Sequence, residues 1–218
     1  MCFKKYNYIL FDLDGTLVDP FEGITNSVVY SLKSYGIEVT DKKELSCFIG
    51  PPLYESFEKY YGFSKEKAVE AVEKYREYYS VTGIFENEIY SGVRELLSEL
   101  KDKGFKLVLA TSKPEVFAKR ILDYFDLTKY FTVVTGSLLN GDRVKKAQVI
   151  KETLKRLGNP LKSECIMVGD RSHDIIGAKE NSIKSVGVLY GYGNFTEFND
   201  ANADFIIKNI NELREILF

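Results

Sequence analysis

The segment Tyr8-Ile9-Leu10-Phe11-Asp12-Leu13-Asp14-Gly15-Thr16-Leu17-Val18-Asp19 decides the fold, because an apolar run there ends in two carboxylates and a Gly-Thr turn. A short apolar run that stops at turn residues is typical of a buried β-strand. Side chains alternate along a strand, so Asp12 and Asp14 should share one face at its carboxyl end. Two carboxylates this close repel each other unless a cation lies between them. The segment therefore predicts a strand that ends in a cation site.

The next part of the chain has a helical pattern without a strand signal. Ile24, Val28 and Leu32 recur at helical spacing, and Ser64 begins a longer amphipathic pattern. We predict a helical insertion over residues 20–85, directly after the first strand.

From Ser91 onward, predicted helices alternate with predicted strands, the strands lying at 105–110, 131–135, 165–168, 185–189 and 204–207. This alternation predicts an α/β fold with a Rossmann-like, doubly wound, mainly parallel sheet and helices on both faces. The core would consist of residues 1–19 and 86–218. Asp12, Thr111 and Asp170 each follow a predicted strand, so they should meet at one edge of the sheet, where such folds bind ligands.

Composition narrows the classes of partner. The 218 residues are 44% hydrophobic, which suits one domain with an insertion. A net charge of −2 gives no long-range attraction to nucleic acid or to a membrane, so we expect a small-molecule partner. The three cysteines, Cys2, Cys47 and Cys165, and the single His173 assemble neither a disulfide framework nor a zinc site. The amino terminus has no apolar signal core, and we expect a cytoplasmic protein.

The stretch from Phe11 to Asp19 resembles the first motif of the haloacid dehalogenase-like hydrolases, and the likeness extends over nearly the whole chain. In that family the first aspartate is a nucleophile that attacks phosphorus, and the second is the general acid/base of the phosphatases and mutases. The resemblance therefore implies these roles for Asp12 and Asp14. The dehalogenase and phosphonate-cleaving branches lack the second acid, so Asp14 favours phosphoryl transfer. The resemblance to this family also implies that the helical insertion over residues 20–85 is a cap domain.

The resemblance assigns phosphate-binding residues as well. Thr111 matches the second motif, whose hydroxyl binds phosphoryl oxygens together with the backbone N–H of the next residue, here Ser112. The third motif is a lysine. Two adjacent lysines, Lys145 and Lys146, stand at the predicted position; we favour Lys146, and Lys145 stays open.

The fourth motif is matched by Gly169-Asp170-x-x-x-Asp174. By resemblance, Asp12 and Asp170 would bind Mg²⁺ through their carboxylates, Asp14 through its main-chain carbonyl, and Asp174 through a water or a neighbouring ligand. Hard oxygen ligands of this kind suit Mg²⁺. An alternative for Asp174 is a helix N-terminal acid favoured by the helix dipole.

The implied function is a magnesium-dependent phosphatase that hydrolyses small phosphomonoesters, resembling the phosphoglycolate phosphatase and 5′-nucleotidase-like branch, through an aspartyl-phosphate. A sugar-phosphate mutase and a non-catalytic binding or regulatory protein on the same scaffold are the alternatives. The loop from Phe48 to Leu53 either contacts substrate or is a plain interhelix turn. Gly191-Tyr192-Gly193 does not open a helix after the first strand, as a dinucleotide fingerprint would. The substrate and the oligomeric state stay open.

Overall fold

The computed structural model describes residues 5–218, which form two compact units. The first unit contains the residues up to Val18 together with Ile89–Phe218, and the second is Asp19–Glu88. Their assignment as a catalytic core and a cap domain, with boundaries at 19/20 and 85/86, stays a prediction. No helix within residues 5–218 is both long and apolar enough to cross a membrane. Cys47 and Cys165 are free thiols, and Cys2 lies outside the described residues.

The first unit is built on a six-stranded sheet with the strand order β5-β4-β1-β6-β7-β8. Every pairing in it is parallel. The predicted α/β fold with a mainly parallel sheet is confirmed. The strands are β1 Tyr8–Phe11, β4 Lys106–Pro114, β5 Phe131–Ser137, β6 Cys165–Gly169, β7 Lys184–Val188 and β8 Phe205–Ile207, and the short strands β2 Val18–Asp19 and β3 Glu88–Ile89 form a separate two-stranded sheet.

Helices cover this sheet because its strands are apolar on both faces. Leu10 lies in register with Val108 and Met167, and these side chains share a buried cluster with Val149 and Ile150. Each fully buried side chain of this size contributes about 1.5–3 kcal/mol. The helices of this unit are α4 Val93–Asp102, α5 Glu115–Tyr124, α6 Lys146–Arg156, α7 Ser172–Glu180, α8 Phe195–Asp200 and α9 Leu213–Leu217.

The second unit is helical, as the sequence pattern predicts. It contains α1 Phe21–Lys33, α2 Leu53–Tyr61 and α3 Lys65–Tyr79, with 3-10 turns at Lys42–Phe48 and Gly83–Phe85. The Ser64 hydroxyl accepts a hydrogen bond from the Lys67 backbone N–H and so caps α3. The Phe48 side chain is buried, with its ring centroid 5.0 Å from that of Phe57. Phe48 therefore has a packing role within this unit.

Some element boundaries differ from the prediction. Helix α1 begins at Phe21, and the Asp19 carboxylate accepts a hydrogen bond from the Phe21 N–H at 3.0 Å. Helix α8 carries no long apolar stripe and was not predicted. Strand β4 continues four residues beyond the predicted end at Ala110, through Thr111, Ser112 and Lys113 to Pro114. Polar residues end the apolar run there, but pairing with β5 keeps the backbone extended.

Candidate active site

Asp12 directly follows β1, at the carboxyl edge of the sheet. Its backbone N–H donates to the Val168 carbonyl of the neighbouring strand at 2.9 Å, which fixes the main chain at this point. Its Oδ1 accepts a hydrogen bond from the Leu13 N–H at 2.8 Å, and the residue is 9% exposed. The chain then turns sharply through Gly15, which has a φ of +73° that favours glycine. Asp14 lies immediately before this turn, two residues after Asp12.

Lys146 contacts two of the predicted acids. Its Nζ lies 2.8 Å from Asp12 Oδ1 and 2.8 Å from Asp174 Oδ1, and it donates to the Ala110 carbonyl at 3.1 Å. Burial alone would lower the pKa of this ammonium, but the charges of Asp12 and Asp174 raise it above its usual value. Lys145 is exposed at the N-cap of α6. Of the two candidate lysines, Lys146 is the one beside the acids.

Three acids form a buried cluster. One carboxylate oxygen from each of Asp12, Asp170 and Asp174 lies within 4.8 Å of the others. Burial, together with the charges of Asp174 and Asp12, raises the pKa of Asp170 well above its usual value. Burial likewise raises the pKa of Asp174, although Lys146 opposes the shift. Because these buried carboxylates repel each other when ionised, a hard divalent cation bound to their oxygens would stabilise the ionised forms. The residues therefore fit Mg²⁺.

Asp170 is held by a loop that sequence reasoning set aside, Gly191-Tyr192-Gly193. The Tyr192 N–H donates to Asp170 Oδ2 at 2.9 Å. A Cβ at Gly191 would overlap both the Gly15 carbonyl oxygen and the Asp170 side chain. Glycine is needed here for close approach to the acid, and the motif has a structural role near the acid cluster rather than a nucleotide-binding one.

Thr111 and Ser112 lie at the end of β4, on the same edge. Thr111 is 1% exposed, and its hydroxyl accepts a hydrogen bond from the Lys113 N–H at 3.2 Å. Ala110, on one side of the pair, accepts from Lys146, and Lys113, on the other side, contacts Asp14. The two predicted phosphate-binding residues therefore lie between Ala110, which contacts Lys146, and Lys113, which contacts Asp14.

Lys113 was missed as a site residue. Its Nζ lies 2.7 Å from Asp14 Oδ1 and 2.5 Å from Asp14 Oδ2. Burial raises the pKa of Asp14, and the charge of Lys113 opposes that shift. The available signal was a lysine immediately after the two motif residues of β4, but its partner is 99 residues away in sequence. No local pattern joins the two.

Known proteins resemble this chain in sequence and in structure. The family model described as "Haloacid dehalogenase-like hydrolase" matches residues 9–188. A 5′-nucleotidase of Pseudomonas aeruginosa is 44% identical over 214 residues, which are 98% of this chain and 96% of that protein. The crystal structure of "a predicted phosphatase from Clostridium acetobutylicum" has a TM-score of 0.93 at 48% identity and covers 97% of both chains. The tyrosine-protein kinase PtkA of Mycobacterium tuberculosis is 38% identical over 96% of this chain and 72% of that protein.

Proposed function

The chain belongs to the haloacid dehalogenase-like hydrolases and is a phosphatase of that family, and we propose that it hydrolyses small phosphomonoesters with Mg²⁺ through an aspartyl-phosphate on Asp12. One observation carries the proposal. Lys146 Nζ lies 2.8 Å from Asp12 Oδ1 in a buried cluster of acids at the carboxyl edge of the sheet. A carboxylate in this setting has an ammonium beside it to offset the charge of an incoming phosphoryl group.

In the first step a carboxylate oxygen of Asp12 attacks phosphorus in line with the ester oxygen. The new bond joins Asp12 to phosphorus, and the bond from phosphorus to the ester oxygen breaks. Asp14, acting as the acid, gives its proton to the leaving oxygen, so that an alcohol departs. Lys146 offsets the repulsion between the carboxylate and the phosphoryl oxygens.

In the second step Asp14, now ionised, takes a proton from a water molecule. The water oxygen attacks phosphorus, and the bond to Asp12 breaks. Inorganic phosphate leaves, and Asp12 is again a carboxylate. The hydroxyl of Thr111 and the backbone N–H of Ser112 bind the phosphoryl oxygens in both steps.

Asp12, Asp170 and Asp174 would hold the Mg²⁺ ion, with the main-chain carbonyl of Asp14 as a further ligand. When bound, the ion offsets negative charge on the carboxylates and on the phosphoryl oxygens. The raised pKa values of Asp170 and Asp174 support this assignment, because a cation would keep both groups ionised at neutral pH.

The substrate class is proposed from the relatives, one of which is named a 5′-nucleotidase and another a phosphoglycolate phosphatase. Release of inorganic phosphate with Mg²⁺ would be measured on nucleoside 5′-monophosphates, phosphoglycolate, sugar phosphates and pyrophosphate. We expect turnover of a small phosphomonoester, abolished in Asp12→Asn. Phosphate transfer to a second sugar phosphate in preference to water would indicate a mutase. Transfer from ATP to a tyrosine peptide would indicate a kinase like the PtkA relative.

A further inference from the structure

Lys113 and Asp14 form a buried ion pair in which one ammonium contacts both carboxylate oxygens, at 2.7 and 2.5 Å. The side chains are only 6% and 15% exposed. The lysine–carboxylate pairs on the surface differ, since Lys119 contacts Glu115 at 2.7 Å with a side chain that is 55% exposed. A surface pair of that kind contributes little and is screened by salt. A buried pair restricts the rotation of its carboxylate.

The backbone that carries Lys113 is also held firmly. Strand β4 pairs with β5 at Ala110 and again at Pro114, and between these points three residues of β4 face the single residue Gly136. This is a bulge, an irregularity that redirects side chains and is common beside active sites. A Cβ at Gly136 would lie 2.5 Å from the Lys113 carbonyl oxygen, so the bulge packs closely on this glycine. The lysine thus reaches Asp14 from a rigid support.

We propose that Lys113 is a positioning residue for the reaction, which holds the Asp14 carboxylate where it can exchange protons with the leaving oxygen and with water. The inference rests on the proposed acid/base role of Asp14. Contact with both oxygens fixes the plane of the carboxylate as well as its place. Misplacement of a catalytic group by about 1 Å can cost roughly 10²-fold in rate, so the loss of this contact should be visible in turnover.

The test is a double-mutant cycle on the Mg²⁺-loaded enzyme with Lys113→Met, Asp14→Asn and the double variant. An alkyl phosphate needs a proton on its leaving oxygen, whereas p-nitrophenyl phosphate barely does. We expect Lys113→Met to lower kcat on the alkyl ester about 10²-fold with little change in KM. With the aryl ester, Lys113→Met should slow the first step, in which the phosphoenzyme forms, by a smaller factor than it lowers kcat on the alkyl ester. In the Asp14→Asn background, Lys113→Met should change kcat less than about threefold, because the group that it positions is gone.

Lys119→Met is the matched control, since it removes a lysine from an exposed ion pair of the same unit, and its kcat should equal that of the wild type. Melting curves verify that each variant folds. If Lys113→Met does not fold, Lys113→Gln replaces it, because glutamine keeps one donor without the charge.

Three results would overturn the inference. Equal losses of kcat in both backgrounds, or a loss confined to KM, would mean that Lys113 binds substrate directly. Wild-type kcat in folded Lys113→Met would mean that the ion pair has no role in positioning. Failure of the proposed acid/base role looks different, because Asp14→Asn would then keep wild-type turnover of the alkyl ester whatever Lys113→Met does.

Discussion

Replacing Lys146 by Met should lower both stability and activity, because this side chain is the ammonium shared by Asp12 and Asp174. The lysine side chain is 4% exposed and lies 2.8 Å from each acid, so solvent screens the contacts little. Methionine keeps much of the apolar stem but removes the charge. Breaking a buried pair by removing one partner costs about 3–5 kcal/mol, since a charge is left uncompensated. For a chain of 218 residues this corresponds to a fall in Tm of roughly 6–20 °C.

Differential scanning calorimetry in chelator measures the Tm, and phosphate release with Mg²⁺ measures activity. Turnover should fall by orders of magnitude, because the ammonium that offsets the repulsion between the Asp12 carboxylate and the phosphoryl oxygens would be gone. Lys145→Met is the matched control: Lys145 is exposed, and a surface change of this kind alters stability by less than about 0.5 kcal/mol. The reasoning is refuted if Lys146→Met melts and turns over like the wild type, or if Lys145→Met shows the larger loss.

Three further predictions concern the acid cluster. The pKa values of Asp170 and Asp174 in the folded protein lie above the value of 3.8 expected for the unfolded chain. While both groups are protonated they favour the folded state, and they destabilise it as the pH rises from 3.8 toward their folded-state pKa values. Added Mg²⁺ should therefore raise the Tm more at pH 7.5 than at pH 5, and an equal rise at both would contradict the assigned site. Gly191→Ala should weaken Mg²⁺ binding measured by calorimetry, because the new Cβ would displace Asp170. Gly36→Ala is the control: its Cβ would meet nothing within 4 Å, and although its φ of +71° makes alanine strained and should lower stability, the Mg²⁺ affinity should be unchanged. Calcium should inhibit turnover, because it accepts more ligands at longer distances and can engage both oxygens of Asp12; equal rates with either ion would rule this out.

Much of the fold was predictable because its signals are local. Proline directly precedes both α2 and α5, and Gly62 ends α2, so local residues mark the limits of these helices. The extension of β4 past Ala110 was not predictable in this way. Its last residues are polar and stay extended because of pairing with β5, which is a contact between distant parts of the chain.

The same distinction applies to the site. Asp12 and Asp170 were placed together from strand topology, because parallel strands bring their carboxyl ends to one edge. Lys113 and Gly191 were missed because each acts through a residue far away in sequence. The approach of Gly191 to Gly15 and Asp170 depends on the path of a loop, which no periodicity encodes.

The charges at this edge explain why binding of metal and of substrate should be linked. Asp12, Asp170 and Asp174 with Asp14 carry four negative charges when ionised, whereas the lysines that contact them, Lys146 and Lys113, carry two positive charges. A phosphomonoester dianion would meet a net charge of −2 from these six groups, at short range and with little solvent between. The fold reduces that charge by raising the pKa values of Asp170 and Asp174. A divalent cation bound by these carboxylates would offset the same charge while leaving the acids ionised, and the proposed ion would thereby increase the affinity of the site for phosphate.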